Sequence, residues 1–240
     1  MNLYTLASAL MLGLSVYCLV VVLFSLNYGI SKTDWESSKK KSVFNKISIG
    51  IAIWVLIASA IGLTGFFKDF SGLPPRQAFI FIPFILVLLL TFTKTTKEII
   101  AKIPPTWLIG TQSFRVVVEI ALWLLFLDGT CPEQMTFEGY NFDILAGLTA
   151  PIIVYFCFIK KAWPKSIAIL WNIVSLGLLT TIVTIAVLSM PTEFRVFLNE
   201  PANTMVADFP IVYLPTILVF TAYTFHLFSL QQLLSSSDTK

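Results

Sequence analysis

The chain has 240 residues, of which 57% are hydrophobic and 12% are charged, and its formal net charge is +3. Soluble domains contain about 45–50% apolar and about 25% charged residues, so this composition excludes a soluble globular enzyme. It also excludes a disordered chain, which requires low hydrophobicity and high charge, and it indicates a multi-span membrane protein instead.

Seven apolar runs predict membrane-spanning helices. Such a helix needs about 20 mainly apolar residues, because the hydrocarbon core is roughly 30 Å thick. Helices satisfy all backbone hydrogen bonds within one segment, so we expect an all-α integral membrane protein. Residues 1–230 would form one membrane domain, followed by a short polar tail at 231–240. In chain order, the predicted spans are Leu3–Leu26, Ile47–Phe67, Ala78–Thr93, Thr106–Leu127, Ile144–Ile159, Ser166–Met190 and Phe209–Leu230.

The basic residues predict the orientation of these spans. Of the 16 lysines and arginines, twelve fall in the first, third and fifth loops or in the tail, and three fall in the other loops. Cytoplasmic loops are enriched in lysine and arginine, which predicts an outside N-terminus and a cytoplasmic C-terminus. Most acidic residues fall on the opposite face. That bias follows from topology alone, or it marks an outer vestibule that attracts cations.

The fourth run contains the two charged residues that we expect near the bilayer centre, Arg115 and Glu119. They are four residues apart, so they share one helix face and can pair, and Gln112 lies on the same side. A charge at the bilayer centre costs about 2.5–3.5 kcal/mol or more, so such residues face a bundle interior or a cavity. They form a ligand, proton or ion site, or a structural ion pair that fixes the helix in the bundle.

Other polar side chains in the spans are candidates for the same site, Asn172 in the sixth run and Tyr223 in the seventh. Most such groups in membrane proteins form hydrogen bonds between helices. The single histidine, His226, is expected near the cytoplasmic end of the seventh run, with a backbone partner. One histidine cannot complete a two-histidine metal site or bis-histidine haem ligation.

Two outer segments are rich in acids and amides. A hard cation prefers oxygen ligands, so these side chains are candidates for a cation site, although capped, solvated loops are the favoured explanation. We predict no resident metal or cofactor. The acidic and amide candidates of the outer loops are Glu138, Asn141, Asp143, Glu200 and Asn203.

Three stretches carry a resemblance, Gln112–Glu119, Gln134–Pro151 and Asn199–Asn203. They resemble a group of bacterial multi-span membrane proteins to which no function is assigned. The resemblance covers roughly spans four to seven. It implies a bacterial inner-membrane location and carries over no catalytic or binding residue.

Two functions are compatible with this pattern. The first is binding or transport of a small solute, ion or proton through a polar intramembrane site around Arg115 and Glu119. The second is a structural or accessory subunit of a larger membrane complex, in which Arg115 and Glu119 form a structural pair. No nucleophile–base set or metal-ligand set indicates an enzyme, and no basic, aromatic-interleaved motif indicates nucleic-acid binding. The expected partners are the lipid bilayer, other membrane subunits and an unidentified small ligand.

Overall fold

The computed structural model describes residues 2–235, and over that range the protein is all-helical, without strands. Short 3₁₀ turns and irregular segments join the helices. The principal helices are α1 (Leu3–Ser31), α2 (Ser37–Thr64), α3 (Arg76–Thr91), α4 (Lys94–Ile100), α5 (Pro105–Leu127), α6 (Ile144–Ile159), α7 (Lys165–Leu188) and α8 (Leu214–Ser235).

Within residues 2–235, five helices are long and apolar enough to cross a membrane, namely α1, α2, α5, α7 and α8. Helix α3 becomes a sixth candidate when it is counted together with α4, although the two are bent by 83° at the break between them. Helix α6 is apolar but shorter. The predicted all-helical fold class and its membrane character are therefore confirmed, with five to six candidate spans. A total of seven crossings stays a prediction.

Two helices extend beyond the apolar runs that predicted them. Helix α2 begins at Ser37, ten residues before the run that starts at Ile47, since the polar stretch between them contains no proline or glycine. Helix α8 continues to Ser235, five residues beyond the run that ends at Leu230. Residues 236–240 of the predicted tail lie outside the described residues.

Local chemistry accounts for several helix ends. Asn2 caps α1 by accepting a hydrogen bond from the backbone N–H of Thr5 at 2.8 Å, which satisfies one of the free donors at a helix start. Gly65 ends α2 in the left-handed conformation, at φ 70°, which is the usual glycine termination of a helix. Pro105 occupies the first turn of α5, where its missing N–H has no consequence.

The bundle is organised around α5 and α8. Helix α1 packs along α5, α6 lies between α5 and α7, and α8 contacts α1, α3, α5 and α7. The core between α1, α5 and α7 is built from apolar side chains such as Met11, Leu125 and Leu179. Helix α2 is peripheral, with most of its apolar residues exposed, as expected for a surface that faces lipid.

The two long outer segments pack onto the bundle. Residues 128–143 bury Met135 and Asn141, and residues 189–213 bury Asn203 and Met205. Gln134 joins the two segments, because its amide nitrogen donates to Ser189 Oγ at 2.8 Å while its oxygen accepts from Asn199 at 2.7 Å. These segments therefore form a cap at one end of the helices.

Gly147 allows α6 to approach α5 closely. A Cβ at this position would lie 2.8 Å from both Cγ2 and the backbone N of Val116, closer than packed atoms can come. In the described part of the chain, nothing lies within 4 Å of a Cβ added at Gly177 in α7.

The first prediction follows from this contrast. Gly147→Ala should destabilise the protein by about 1–3 kcal/mol, because the extra methyl forces α5 and α6 apart. Thermal unfolding in detergent measures the effect. Gly177→Ala is the matched control and should be neutral or slightly stabilising, since alanine favours a helix. Equal midpoints for the two variants would contradict a close α5–α6 contact.

Candidate functional site

Arg115 is at the centre of a buried polar network. It lies on α5 and is 2% exposed, and it faces Asp143, which precedes α6 and is 4% exposed. Its Nε donates to Asp143 Oδ2 at 2.6 Å, and its Nη2 contacts Asp143 Oδ1. The planar guanidinium thus meets the carboxylate side-on through two nitrogens, which is the strongest geometry for this pair of groups.

This pair corrects two predictions. Arg115 was expected to pair with Glu119, but its partner is Asp143, which was assigned to an outer acidic loop. Glu119 shares a helix face with Arg115, but its carboxyl accepts a hydrogen bond from Asn141 instead. Asp143 enters from a second helix, and Gly147 makes the necessary approach possible.

His226 is the second partner of Arg115, and its location corrects another prediction. It is fully buried near the middle of α8 rather than at the cytoplasmic end of its span. Arg115 Nη1 lies 2.9 Å from His226 Nε2, and His226 Nδ1 lies 2.9 Å from Asn172 Oδ1. Because arginine can only donate, Nε2 must accept and Nδ1 must carry the proton. The imidazole in this arrangement is neutral.

Asn172 and Gln112 connect the network to the surrounding helices. Asn172 donates from its amide nitrogen to Ser229 Oγ at 3.0 Å and to the carbonyl of Ala168 at 2.8 Å. Gln112 donates to the carbonyl of Ala222 at 3.0 Å. Both side chains are buried, and Asn172 is linked to Arg115 through His226.

Glu119 lies beside this network, with a different partner. Its Oε2 accepts a 2.5 Å hydrogen bond from the amide nitrogen of Asn141, which also donates to the carbonyl of Met135 at 3.0 Å. The Asn141 oxygen accepts from the backbone N–H of Asp143 at 3.0 Å. Asn141, a candidate of the outer loops, is buried and links Glu119 to Asp143.

The remaining outer-loop candidates do not converge. Glu138 accepts from the indole of Trp123 at 2.6 Å, and Asn203 is buried with its amide on the carbonyl of Ala186. Glu200 accepts from the backbone N–H of Ala202 and from Arg195, and these two hydrogen bonds lower the pKa of its carboxyl. Each group thus has its own partner. The residues that the structure describes contain no cluster of three His, Cys, Asp or Glu side chains that could hold a metal ion.

A cavity of about 410 Å³ adjoins the network. Helices α3, α5, α7 and α8 contribute its apolar walls, which include Phe84, Leu122, Ile182 and Phe220. Glu119, Asp143, Tyr223 and Gln77 also line the cavity and supply polar groups. The hydroxyl of Tyr223 donates to Thr180 Oγ1 at 3.1 Å.

Gln77 is a cavity-lining residue that the sequence did not single out. Its amide nitrogen donates to the carbonyls of Phe67 and Asp69, at 2.5 and 3.3 Å. Its Oε1 is buried and has no hydrogen-bond partner among the residues that the structure describes. A buried acceptor of this kind usually has a partner, and a ligand or a water molecule in the cavity would supply one.

Comparison with protein-family models, curated proteins and solved structures found no match to this chain. The function is therefore inferred from the arrangement of the site. It combines a tightly hydrogen-bonded charged network with an apolar cavity.

The second prediction concerns the network. Asp143→Leu should destabilise the protein by about 3–5 kcal/mol, because it leaves Arg115 buried and unpaired. Adding Arg115→Met should recover most of that loss, since a buried ion pair can be replaced by packed apolar side chains. Thermal unfolding of the wild type, both single variants and the double variant measures the coupling. If the losses of stability of the two single variants add up in the double variant, the two side chains do not act as a pair.

Proposed function

We propose that this protein binds a small, mainly apolar molecule in the cavity between α3, α5, α7 and α8, with the ligand's polar group against Glu119. The observation that carries the proposal is that Glu119, a residue only 2% exposed, lines an apolar cavity of about 410 Å³. The protein would be a binding protein of the membrane interior, and transport of the same molecule is one use of such a site.

The size of the cavity supports a ligand. Protein interiors are packed as densely as organic crystals, with few voids larger than a water molecule. Pockets for small molecules measure about 300–1,000 Å³ and combine apolar walls with a few placed polar groups. The cavity has both properties, since its apolar walls surround Glu119, Asp143, Tyr223 and Gln77.

Arg115 already has hydrogen-bond partners in the protein, which supports binding of the ligand at Glu119 rather than at Arg115. Arg115 already contacts Asp143, His226 and the carbonyl of Ser175. A ligand could reach the guanidinium only by breaking one of these contacts. Glu119 has one side-chain hydrogen bond, from Asn141, and it lines the cavity.

The third prediction tests the cavity by filling it. Ala186 lines the cavity on α7, so Ala186→Phe should exclude the ligand. Ala52 is exposed on α2, so Ala52→Phe adds the same ring on a lipid-facing surface and is the matched control. Native mass spectrometry of gently extracted protein should find a bound small molecule in the wild type and in Ala52→Phe but not in Ala186→Phe.

Val183→Trp provides a second filled cavity if Ala186→Phe does not yield folded protein, because Val183 also lines the cavity. A bound molecule that survives in the filled variants would overturn the proposal. A wild type that carries no molecule after extraction in its own lipids would do the same.

We further propose seven crossings in a bacterial inner membrane, with the N-terminus outside and the C-terminus inside. The lysine bias supports this topology, and α3 and α6 would supply the two additional crossings. Both helices can cross as parts of the bundle, since α3 packs on α8 and α6 packs on α5 and α7.

The fourth prediction tests this topology with a membrane-impermeant thiol reagent on intact cells. Glu193→Cys should be labelled, and Lys161→Cys should be labelled only after the membrane is opened. The three native cysteines are buried, and burial raises the pKa of the Cys131 thiol, so they give little background. Labelling of Lys161→Cys in intact cells would show that the orientation is the opposite of the proposed one.

A second candidate function is an accessory subunit of a membrane complex. A concave outer surface of α7, lined by Gly177, Thr180, Thr181 and Thr184, favours it. Small residues allow close packing between membrane helices. Co-purification of a stoichiometric membrane partner that is lost in Gly177→Leu would support this candidate, and a monodisperse lone protein would count against it.

A further inference from the structure

We propose that the cavity ligand is an amphiphilic amine, whose ammonium group binds the Glu119 carboxylate while its apolar body occupies the remainder of the cavity. This inference rests on the proposed function and names the chemical class of the ligand. It follows from the charges in the site, from the hydrogen-bonding groups that line the cavity, and from the cavity walls.

The charges in the site leave one carboxyl without a cation. Arg115 contributes one positive charge and Asp143 one negative charge, and the two form an ion pair. His226 is neutral, because its Nε2 accepts from Arg115. Glu119 is the second carboxyl of the site, and its side-chain partner is the neutral amide of Asn141. A cation in the cavity would balance the Glu119 carboxylate.

The groups that line the cavity are mainly acceptors. Gln77 Oε1 has no partner in the described part of the chain, and the Tyr223 hydroxyl donates its proton to Thr180, which leaves its oxygen as an acceptor. Asp143 accepts from Arg115 and has further lone pairs. An ammonium group has three donors and no acceptor, so it complements this lining, whereas a carboxylate or phosphate does not.

The walls exclude a small hydrated cation as the main ligand. Phe84, Leu122, Ile182 and Phe220 are apolar, and no cluster of three potential metal ligands occurs in residues 2–235. A metal ion needs several oxygen ligands, and of the two carboxylates at the cavity, Asp143 is already paired with Arg115. An apolar body attached to the ammonium group packs against these walls. The burial of its surface supplies the hydrophobic part of the binding free energy.

Binding includes one proton transfer that leaves the total charge of the site unchanged. Without ligand, Glu119 holds a proton, because a lone carboxylate is costly inside a membrane. A neutral amine that enters from the lipid takes this proton on its nitrogen, which produces an ammonium–carboxylate pair. The O–H bond of Glu119 breaks and an N–H bond forms, with no other reactant.

The fifth prediction compares three probes of equal chain length, dodecylamine, dodecan-1-ol and dodecanoic acid. The wild type in nanodiscs of zwitterionic lipid should bind dodecylamine most tightly by native mass spectrometry. Glu119→Gln keeps the acceptor for Asn141 but cannot pair with an ammonium group. Its affinity for dodecylamine should be about tenfold or more weaker, while its affinity for dodecan-1-ol should be unchanged.

The control is Glu138→Gln, which removes an exposed carboxyl that accepts from Trp123 and lies outside the cavity. It should bind dodecylamine as the wild type does. Infrared difference spectra give a second readout. Dodecylamine should remove the carbonyl band of a protonated carboxylic acid and add a carboxylate band, in the wild type and Glu138→Gln but not in Glu119→Gln.

The possible results separate this inference from the proposed function. If dodecan-1-ol or dodecanoic acid binds as tightly as dodecylamine, the amine assignment is overturned while the cavity remains a binding site. If Glu119→Gln binds dodecylamine normally, the assignment of Glu119 is overturned. If none of the three probes binds and Ala186→Phe changes nothing, the proposed function itself fails.

Discussion

The side-on pair between Arg115 and Asp143 is the constraint on which the bundle depends. A guanidinium inside a membrane needs partners for its donors, and it finds them on three other helical elements: Asp143 before α6, Ser175 on α7 and His226 on α8. Each partner then fixes another group, Asn141 through the Asp143 backbone and Asn172 through His226. The packing of α5 to α8 is consequently specified by polar geometry, in a medium where the hydrophobic effect does little to bring helices together.

The apolar side chains have a complementary role. They form the lipid-facing surface of α2 and the core around Met11, and they leave a space beside Glu119. The cap borders this space through residues such as Met135 and Val206, and Gln134, Ser189 and Asn199 hold its two segments together. The cavity therefore lies between a fixed polar network and a fixed cap, which is a suitable setting for selective binding.

The helices were largely predictable because lipid imposes long apolar runs, and each predicted run overlaps a helix of the structure. Arg115 and Glu119 were also recognisable, since charged residues are rare inside a span. The partners were not recognisable in the same way. Asp143 lies 28 positions from Arg115 in a stretch that resembles a loop, and only its place directly before an apolar run hinted at burial. His226 was misplaced because α8 begins and ends later in the chain than its apolar run suggests.

The position of Arg115 within the network has a consequence for the movement of protons through the protein. Glu119, Asp143 and His226 are groups that can exchange protons, and a hydrogen-bonded chain of such groups across a bilayer would dissipate a proton gradient. Arg115 stands between Asp143 and His226, and a guanidinium does not give up its proton in a protein. Arg115, which holds the helices together, thereby also interrupts a path for protons between Asp143 and His226.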